Sequence, residues 1–300
     1  MLELMKKYLM TLLMLGLACN AAACMEDEPF YDTEIPPHVS IDNSKGEGVT
    51  RLVTYNVGIF NKYIKDDYQL IADMMKEIDA DAICMNELDN NTNRTRHVYQ
   101  LKHFASLMGS WDFEYGAAMP YDGGEYGDAV LSKHPIIETR SYRLPCAASQ
   151  PGEDRSLCVI RVEIDGKDLY VASTHLDHLS GDASRLVQAN EIRRIRDTEL
   201  DGDLILAGDL NAIPSSNVIA TMTAFLTNVG TIDQYTFPSE NPTRKIDYIL
   251  YAPIGHFGVQ NCTVVSRSDQ QVDGVDASDH RPVVADIRFQ TEEDLPENQE

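Results

Sequence analysis

Residues 204–216 read LILAGDLNAIPSS and place a carboxylate and an amide, Asp209 and Asn211, two positions apart at the end of an apolar run. Similar groups follow other apolar runs: Asn56 after LVTY, Glu87 after AICMN and His175 after LYVAST. Asp247 stands near the start of KIDYIL, and Asp279 and His280 directly precede RPVVADI. Carboxylate and amide oxygens suit a hard divalent cation, and imidazole exchanges protons near neutral pH, so such a set could hold a metal and move a proton. Asp and Asn also hydrogen-bond their own backbone in ordinary turns, and GDLNA taken alone is equally well a turn. A scatter of turn residues would not favour carboxylates, amides and histidines so consistently over Ser, Lys and Gly. Each further member of the set weakens the turn alternative.

These groups need elements to carry them. Leu204, Ile205, Leu206 and Ala207, bounded by Gly202, Gly208 and Pro214, read as a strand buried on both faces. Side chains alternate along an extended chain, so Asp209 and Asn211 project to one side just past the strand's C-terminal end. Layered α/β proteins usually hold ligands there. Further strand-like runs begin at 51 (RLVTYNVG), 81 (DAICMNEL), 127 (GDAVLSKHP), 156 (SLCVIRVEI), 167 (KDLYVASTHLDH), 245 (KIDYILYA) and 281 (RPVVADIRF). Helical stripes fall between them: Leu70, Ile71, Met74, Met75 and Ile78; Val98, Leu101, Phe104 and Leu107; Leu186, Val187, Ile192 and Ile195. Strands outnumber helices and several are consecutive, which predicts two packed sheets with helices outside rather than one doubly wound sheet. Trp111, Phe113 and Tyr115 alternate as in a half-buried strand, and YDGGEYG (121–127) reads as a hairpin turn or a loop shaping access to the site. The short basic clusters are RTR at 94–96 and TRK at 243–245, the second close enough to Asp247 to border a pocket.

Three hundred residues suit one large domain or two small ones, and the chain shows no internal repeat and no splitting linker after residue 50. The net charge of −23 argues against a protein that grips a long duplex, because phosphate neutralisation by Lys and Arg supplies most of that affinity. An acidic chain needs a local basic pocket or metal ions to hold a phosphate. Residues 1–24, MLELMKKYLMTLLMLGLACNAAAC, have the layout of a secretory signal peptide: Lys6 and Lys7, an apolar run, then small residues. They resemble bacterial lipoprotein signals, with Cys24 as the lipidated residue, Cys19 as an alternative, and simple cleavage before Cys24 as a third outcome. Glu26-Asp27-Glu28 resembles the surface-export tag of some Gram-negative lipoproteins. The expected organisation is therefore the signal (1–24), an acidic flexible tether (25–48), a catalytic domain (49–290) and an acidic tail (291–300). The expected location is the outer membrane or cell surface, or else the periplasm or medium. Cys84, Cys146, Cys158 and Cys262 lack zinc-site spacing; Cys84 reads as a buried hydrophobe, and Cys146 with Cys158 as a candidate disulfide.

In order along the chain, TYN, NEL, GDAVLSKHP, STHLDH, GDLNA, KIDYIL and SDH resemble the endonuclease/exonuclease/phosphatase superfamily over roughly residues 50–290. NEL alone is weak, whereas GDLNA followed by IDYIL and SDH is specific. The resemblance implies a four-layer α/β sandwich of two packed, mostly antiparallel sheets flanked by helices, acting as a divalent-metal-dependent phosphoric ester hydrolase. It implies Glu87 as the first metal ligand, with Asp279 and Asn56 completing or supporting that site and Asp209 with Asn211 forming a second locus. Asp209 would orient or deprotonate the attacking water, and Asn211 would contact the phosphate. His280 would be the acid/base or phosphate-binding group oriented by Asp247, with His175 contacting the phosphate from the opposite side. Arg155 is read as a phosphate clamp or a salt-bridge partner, and a loop surface explains Asp177 and His178.

The implied cofactor is Mg2+, with Mn2+ or Ca2+ as alternatives, and the implied partner is a phosphate-ester substrate. Membrane attachment would run through lipidated Cys24, and a monomer is expected. Acidity and the leader favour a small-molecule, lipid or glycan phosphoester over duplex DNA. An extracellular nuclease and a non-catalytic surface binding protein of the same fold are the alternatives.

Overall fold

Along β1 (Thr50–Asn56), every residue is buried, and its alternate side chains enter two different cores. Chain order continues through a 3-10 turn (Gly58–Phe60), α1 (Tyr68–Ile78), β2 (Ala82–Asn90), α2 (Gln100–Leu107), β3 (Asp112–Tyr121), β4 (Gly124–Ser132) and β5 (Ile136–Leu144). It then runs through β6 (Arg155–Ile164), β7 (Lys167–Thr174), α3 (Ala183–Glu199), β8 (Asp203–Asp209), α4 (Asn217–Thr223) and β9 (Thr227–Asn228). The last elements are β10 (Asp247–Ala252), β11 (Phe257–Val264), β12 (Gln271–Val272), β13 (Val275–Asp276) and β14 (Val283–Phe289). This computed structural model describes residues 44–109, 111–265, 271–272 and 275–290; the expected signal, most of the tether and the tail lie outside the described residues.

Two six-stranded sheets form, ordered β11-β14-β1-β2-β4-β3 and β5-β6-β7-β8-β10-β9. Each is antiparallel except for one central parallel pair, β1 with β2 and β7 with β8. Strand alternation fixes the layers. Val53, Tyr55, Ile83 and Met85 face outward onto α1 and α2 through Ile71, Met75, Leu101 and Phe104. Tyr170, Ala172, Leu204 and Leu206 face the other way onto α3 and α4 through Ile192, Ile195, Val218 and Met222. The alternate residues, among them Leu52, Cys84, Val171, Ile205, Ala207 and Ile249, fill the space between the sheets. Strands buried on both faces carry continuous apolar runs, which is why they are conspicuous in the sequence. The expected four-layer sandwich is therefore the observed one.

Three details place the functional groups. Asn56, Asn86, Asp128, Ser173, His175, Asp209 and Asp247 continue the alternation of the inter-sheet face, where the apolar filling gives way to polar groups. In β2, register shifts between Met85 and Leu88, so Asn86 and Glu87 together oppose Asp128 of β4. The extra residue reverses the alternation, leaving Met85 and Leu88 both in the outer core while Glu87 is re-aimed with a positive φ of 61°. Finally, Gly208 has φ 148°, and a Cβ there would lie 1.8 Å from Thr174 O, so only glycine lets β8 approach β7 this closely.

Two expectations are corrected. Cys146 and Cys158 are both free: Cys158 lies buried in β6 between the sheets with its thiol donating to Glu114 O (3.4 Å), while Cys146 lies in the loop after β5. Asp177 is not a loop-surface residue but a buried clasp accepting from Leu179 N (2.8 Å) and Glu153 N (3.0 Å). Cys84 is buried as expected, and the 121–127 segment is the β3–β4 hairpin.

Candidate active site

The site begins with strand ends. β10 runs antiparallel to β8, so Asp247, the first residue of β10, pairs with Asp209, the last of β8. That pairing explains how a residue at a strand start joins residues at strand ends. The β1–β2 and β7–β8 ladders bring Asn56 and Glu87 from one sheet against His175 and Asp209 from the other. Asn86 binds the sheets together beneath them, donating to Asp128 Oδ1 (2.9 Å) and Thr174 O (3.0 Å) and accepting from Asp209 N (2.9 Å).

Above this layer, Asn56 Nδ2 donates to Glu87 Oε1 (3.0 Å) and Asp209 Oδ2 (3.2 Å), while Asn56 Oδ1 accepts from Gly58 N (3.1 Å). His280 Nδ1 lies 3.0 Å from Asp247 Oδ2, and that oxygen also accepts from Thr236 Oγ1 at 2.5 Å. His280 Nε2 faces Asp209 Oδ2 at 3.6 Å, and His175 Nε2 faces the same oxygen at 3.5 Å. Asn211, at φ 46°, turns its side-chain amide to within 2.9 Å of His175 Nε2. Asn tolerates this left-handed conformation better than most residues. Arg155 Nη1 donates to His175 Nδ1 (3.3 Å), and Nη2 pairs with Glu153 Oε2 (2.8 Å). Arg155 is thus a salt-bridge partner that also reaches the site.

Electrostatics separate the two imidazoles. Burial disfavours a charged ring at His280, but Asp247 and Asp209 outweigh it and lift its pKa to about 10. At His175 burial and the neighbouring Arg155, His280 and His178 act in the same direction and hold the ring neutral. Burial also holds Asp209 above the ordinary carboxylate range, against the pull of His280. A charged ring at His280, a neutral ring at His175 and a carboxylate between them that gives up its proton reluctantly make a set able to move protons near neutrality.

Glu87, Arg155, His175, Asp209, Asn211, Asp279 and His280 line one cavity of about 500 Å³, with Asn56 and Asp247 behind its wall. All the site residues expected from the sequence converge here. Two acidic groupings are available for a cation. Oxygens and ring nitrogens of Asp209, Asp247 and His280 lie within 4.8 Å of one another. Asp247 Oδ2 and His280 Nδ1 are already committed to each other, however, so that trio is better suited to orient a proton carrier than to ligate. Glu87 and Asp279 offer an all-oxygen set at the cavity wall, where the Lys62 ammonium sits 2.7 Å from Asp279 Oδ2. A cationic group already rests beside these carboxylates, and their chemistry fits magnesium or manganese.

Asn86, Asp128, Lys62, Thr236 and Phe237 join the site without having stood out in the sequence. Asn86 and Asp128 carried a signal, being polar residues inside otherwise apolar strands. Lys62, Thr236 and Phe237 lie in loops with no pattern of their own. Both basic clusters reach the cavity, through Arg94 and Arg244, and the 121–127 hairpin contributes Tyr121 and Tyr126.

Comparison with known proteins bears on the fold and the family. A structure from Bacteroides vulgatus described as an endonuclease/exonuclease/phosphatase superposes with a TM-score of 0.64 at 20% identity, covering 81% of this chain and 99% of that one. The mannosyl-6-phosphatase Bt3783 of Bacteroides thetaiotaomicron gives 0.64 at 19% identity, covering 80% and 100%. At these identities the likeness establishes the fold. The uncharacterized protein YbhP of Escherichia coli K12 is 27% identical over 193 residues, 60% of this chain and 74% of its own. The model of the Endonuclease/Exonuclease/phosphatase family matches residues 53–280, from the middle of β1 to His280, and the chain belongs to that family.

Proposed function

We propose that the protein is an exported, divalent-metal-dependent phosphohydrolase that cleaves a small phosphoester by attack of an activated water. The observation that carries this reading is the continuous polar chain Asp247–His280–Asp209–Asn56–Glu87, which ties a proton-carrying dyad to an acidic cation locus in one cavity. A magnesium or manganese ion held by Glu87 and Asp279 would supply Lewis-acid stabilisation of charge on the phosphoryl oxygens. Asp209 accepts the proton of the attacking water, which its reluctance to ionise and its contact with His280 suit it to do. Asn211 and neutral His175 hold the phosphoryl oxygens on one side. His280, oriented by Asp247, donates to them or to the leaving oxygen on the other. Arg155 steadies His175 from behind. The cavity's size favours a compact substrate, and the leader with Cys24 supports export on a lipid anchor.

The test is hydrolysis of bis-p-nitrophenyl phosphate and p-nitrophenyl phosphate by the purified chain with Mg2+ or Mn2+, with and without EDTA, alongside plasmid nicking. Metal-dependent release of nitrophenol, abolished by EDTA and by Glu87→Gln and reduced about 10²- to 10⁴-fold by His280→Ala, is expected. Plasmid nicking faster than ester hydrolysis would redirect the assignment to a nuclease. Absence of any metal-dependent turnover would overturn it.

A further inference from the structure

Four Lys and Arg side chains line the cavity, and three are committed to carboxylates: Lys62 to Asp279 (2.7 Å), Arg94 to Asp89 (2.7 Å) and Arg155 to Glu153 (2.8 Å). The fourth, Arg244, has neither a carboxylate nor a hydrogen-bond acceptor for its guanidinium among the described residues. It is nonetheless held in place. The guanidinium carbon lies 4.6 Å from the centre of the Phe237 ring, and the two residues exchange backbone hydrogen bonds, Phe237 N to Arg244 O (3.0 Å) and Arg244 N to Phe237 O (2.9 Å). The Phe237 ring in turn sits 4.8 Å from the ring of His280. Stacking occupies the face of a guanidinium and leaves its in-plane N–H donors free, the geometry that clamps a phosphate through two parallel hydrogen bonds.

We propose that Arg244 is a specificity-determining residue that binds a second phosphate group, carried on the leaving portion of a small phosphoester. The proposal rests on the phosphohydrolase reading. The two ring distances put the Arg244 guanidinium carbon within about 9.4 Å of the centre of the His280 ring, which would hold the scissile phosphate together with Asn211 and His175. One sugar or polyol unit spans that separation. The charge balance points the same way: the chain carries −23 and the cavity presents Glu87, Glu153, Asp209 and Asp279, so a doubly phosphorylated ligand needs an uncommitted cation at the rim.

The test is calorimetric titration of the full chain in EDTA, which withholds the metal that hydrolysis requires, with fructose 1,6-bisphosphate and fructose 6-phosphate as probes. Wild type is expected to bind the bisphosphate about tenfold more tightly, in line with one charge-assisted pair. Arg244→Gln should bring the two affinities together, Arg244→Lys should keep part of the difference, and Arg244→Glu should reverse it. Because Arg244 is exposed, thermal midpoints of these variants should match wild type. Equal affinities in wild type, a preference that survives Arg244→Gln, or equal weakening of both ligands by Arg244→Gln would each overturn the proposal. Binding is read without turnover, so loss of the bisphosphate preference sinks this inference, whereas absence of metal-dependent ester hydrolysis sinks the function on which it rests.

Discussion

Replacing Asn86 tests whether the site is built on a polar staple between the sheets. The side chain is fully buried, donates to Asp128 Oδ1, Thr174 O and Ser173 Oγ (2.9, 3.0 and 3.4 Å), and accepts from Asp209 N (2.9 Å). Asn86→Ala leaves the Asp209 N–H and the Thr174 carbonyl without this partner, at about 1–3 kcal/mol each, so a loss of roughly 3–5 kcal/mol is expected. That is a large share of the ~5–15 kcal/mol that holds a typical domain together. Asn86→Asp keeps the shape but sets a second carboxylate against Asp128, whose pKa burial has already raised to about 6. An acid whose folded pKa is raised binds more protons folded than unfolded, so the contribution of Asp128 to wild-type stability should fall as pH rises from about 4 to about 6. In Asn86→Asp the two carboxyls share a proton, and the fall should extend to higher pH. Urea unfolding followed by Trp111, the sole tryptophan, at pH 5 and pH 8 reads both effects. A loss below about 1 kcal/mol for Asn86→Ala, or a pH-independent loss for Asn86→Asp, would refute the staple.

Further outcomes follow from other residues. Gly208→Ala should lose about 4 kcal/mol or more and yield little soluble protein, since its Cβ would meet Thr174 O at 1.8 Å; a near-native thermal midpoint would contradict this. Arg51 is buried and pairs with Asp286 through Nε (2.6 Å) and Nη2 (2.8 Å), joining β1 to β14, so Arg51→Met should cost about 3–5 kcal/mol by urea titration. Asp247→Asn removes the largest of the charges that raise His280, so the alkaline limb of a kcat/KM profile should move to lower pH; an unmoved limb would show that His280 does not titrate there. Cys24→Ser should shift the protein from the membrane to the soluble fraction of expressing cells, and unchanged fractionation would argue against lipidation.

The layering and the site residues were legible in the chain for a common reason. A strand buried on both faces must be apolar throughout, so the points where β1, β7 and β8 turn polar, at Asn56, His175 and Asp209, stand out in one dimension. What sequence alone determined was therefore the strands, their polar ends and the residue types gathered there. Tertiary structure decided the rest, because it depends on pairings between segments far apart in the chain. The register of β10 on β8 set Asp247 opposite Asp209, and the bulge in β2 turned Glu87 into the cavity against ordinary alternation. Folding also separated Cys158 from Cys146 by burying Cys158 between the sheets. Lys62, Phe237 and Arg244 acquired their places only when loops folded over the strand ends, since loops carry no periodicity from which a position can be read.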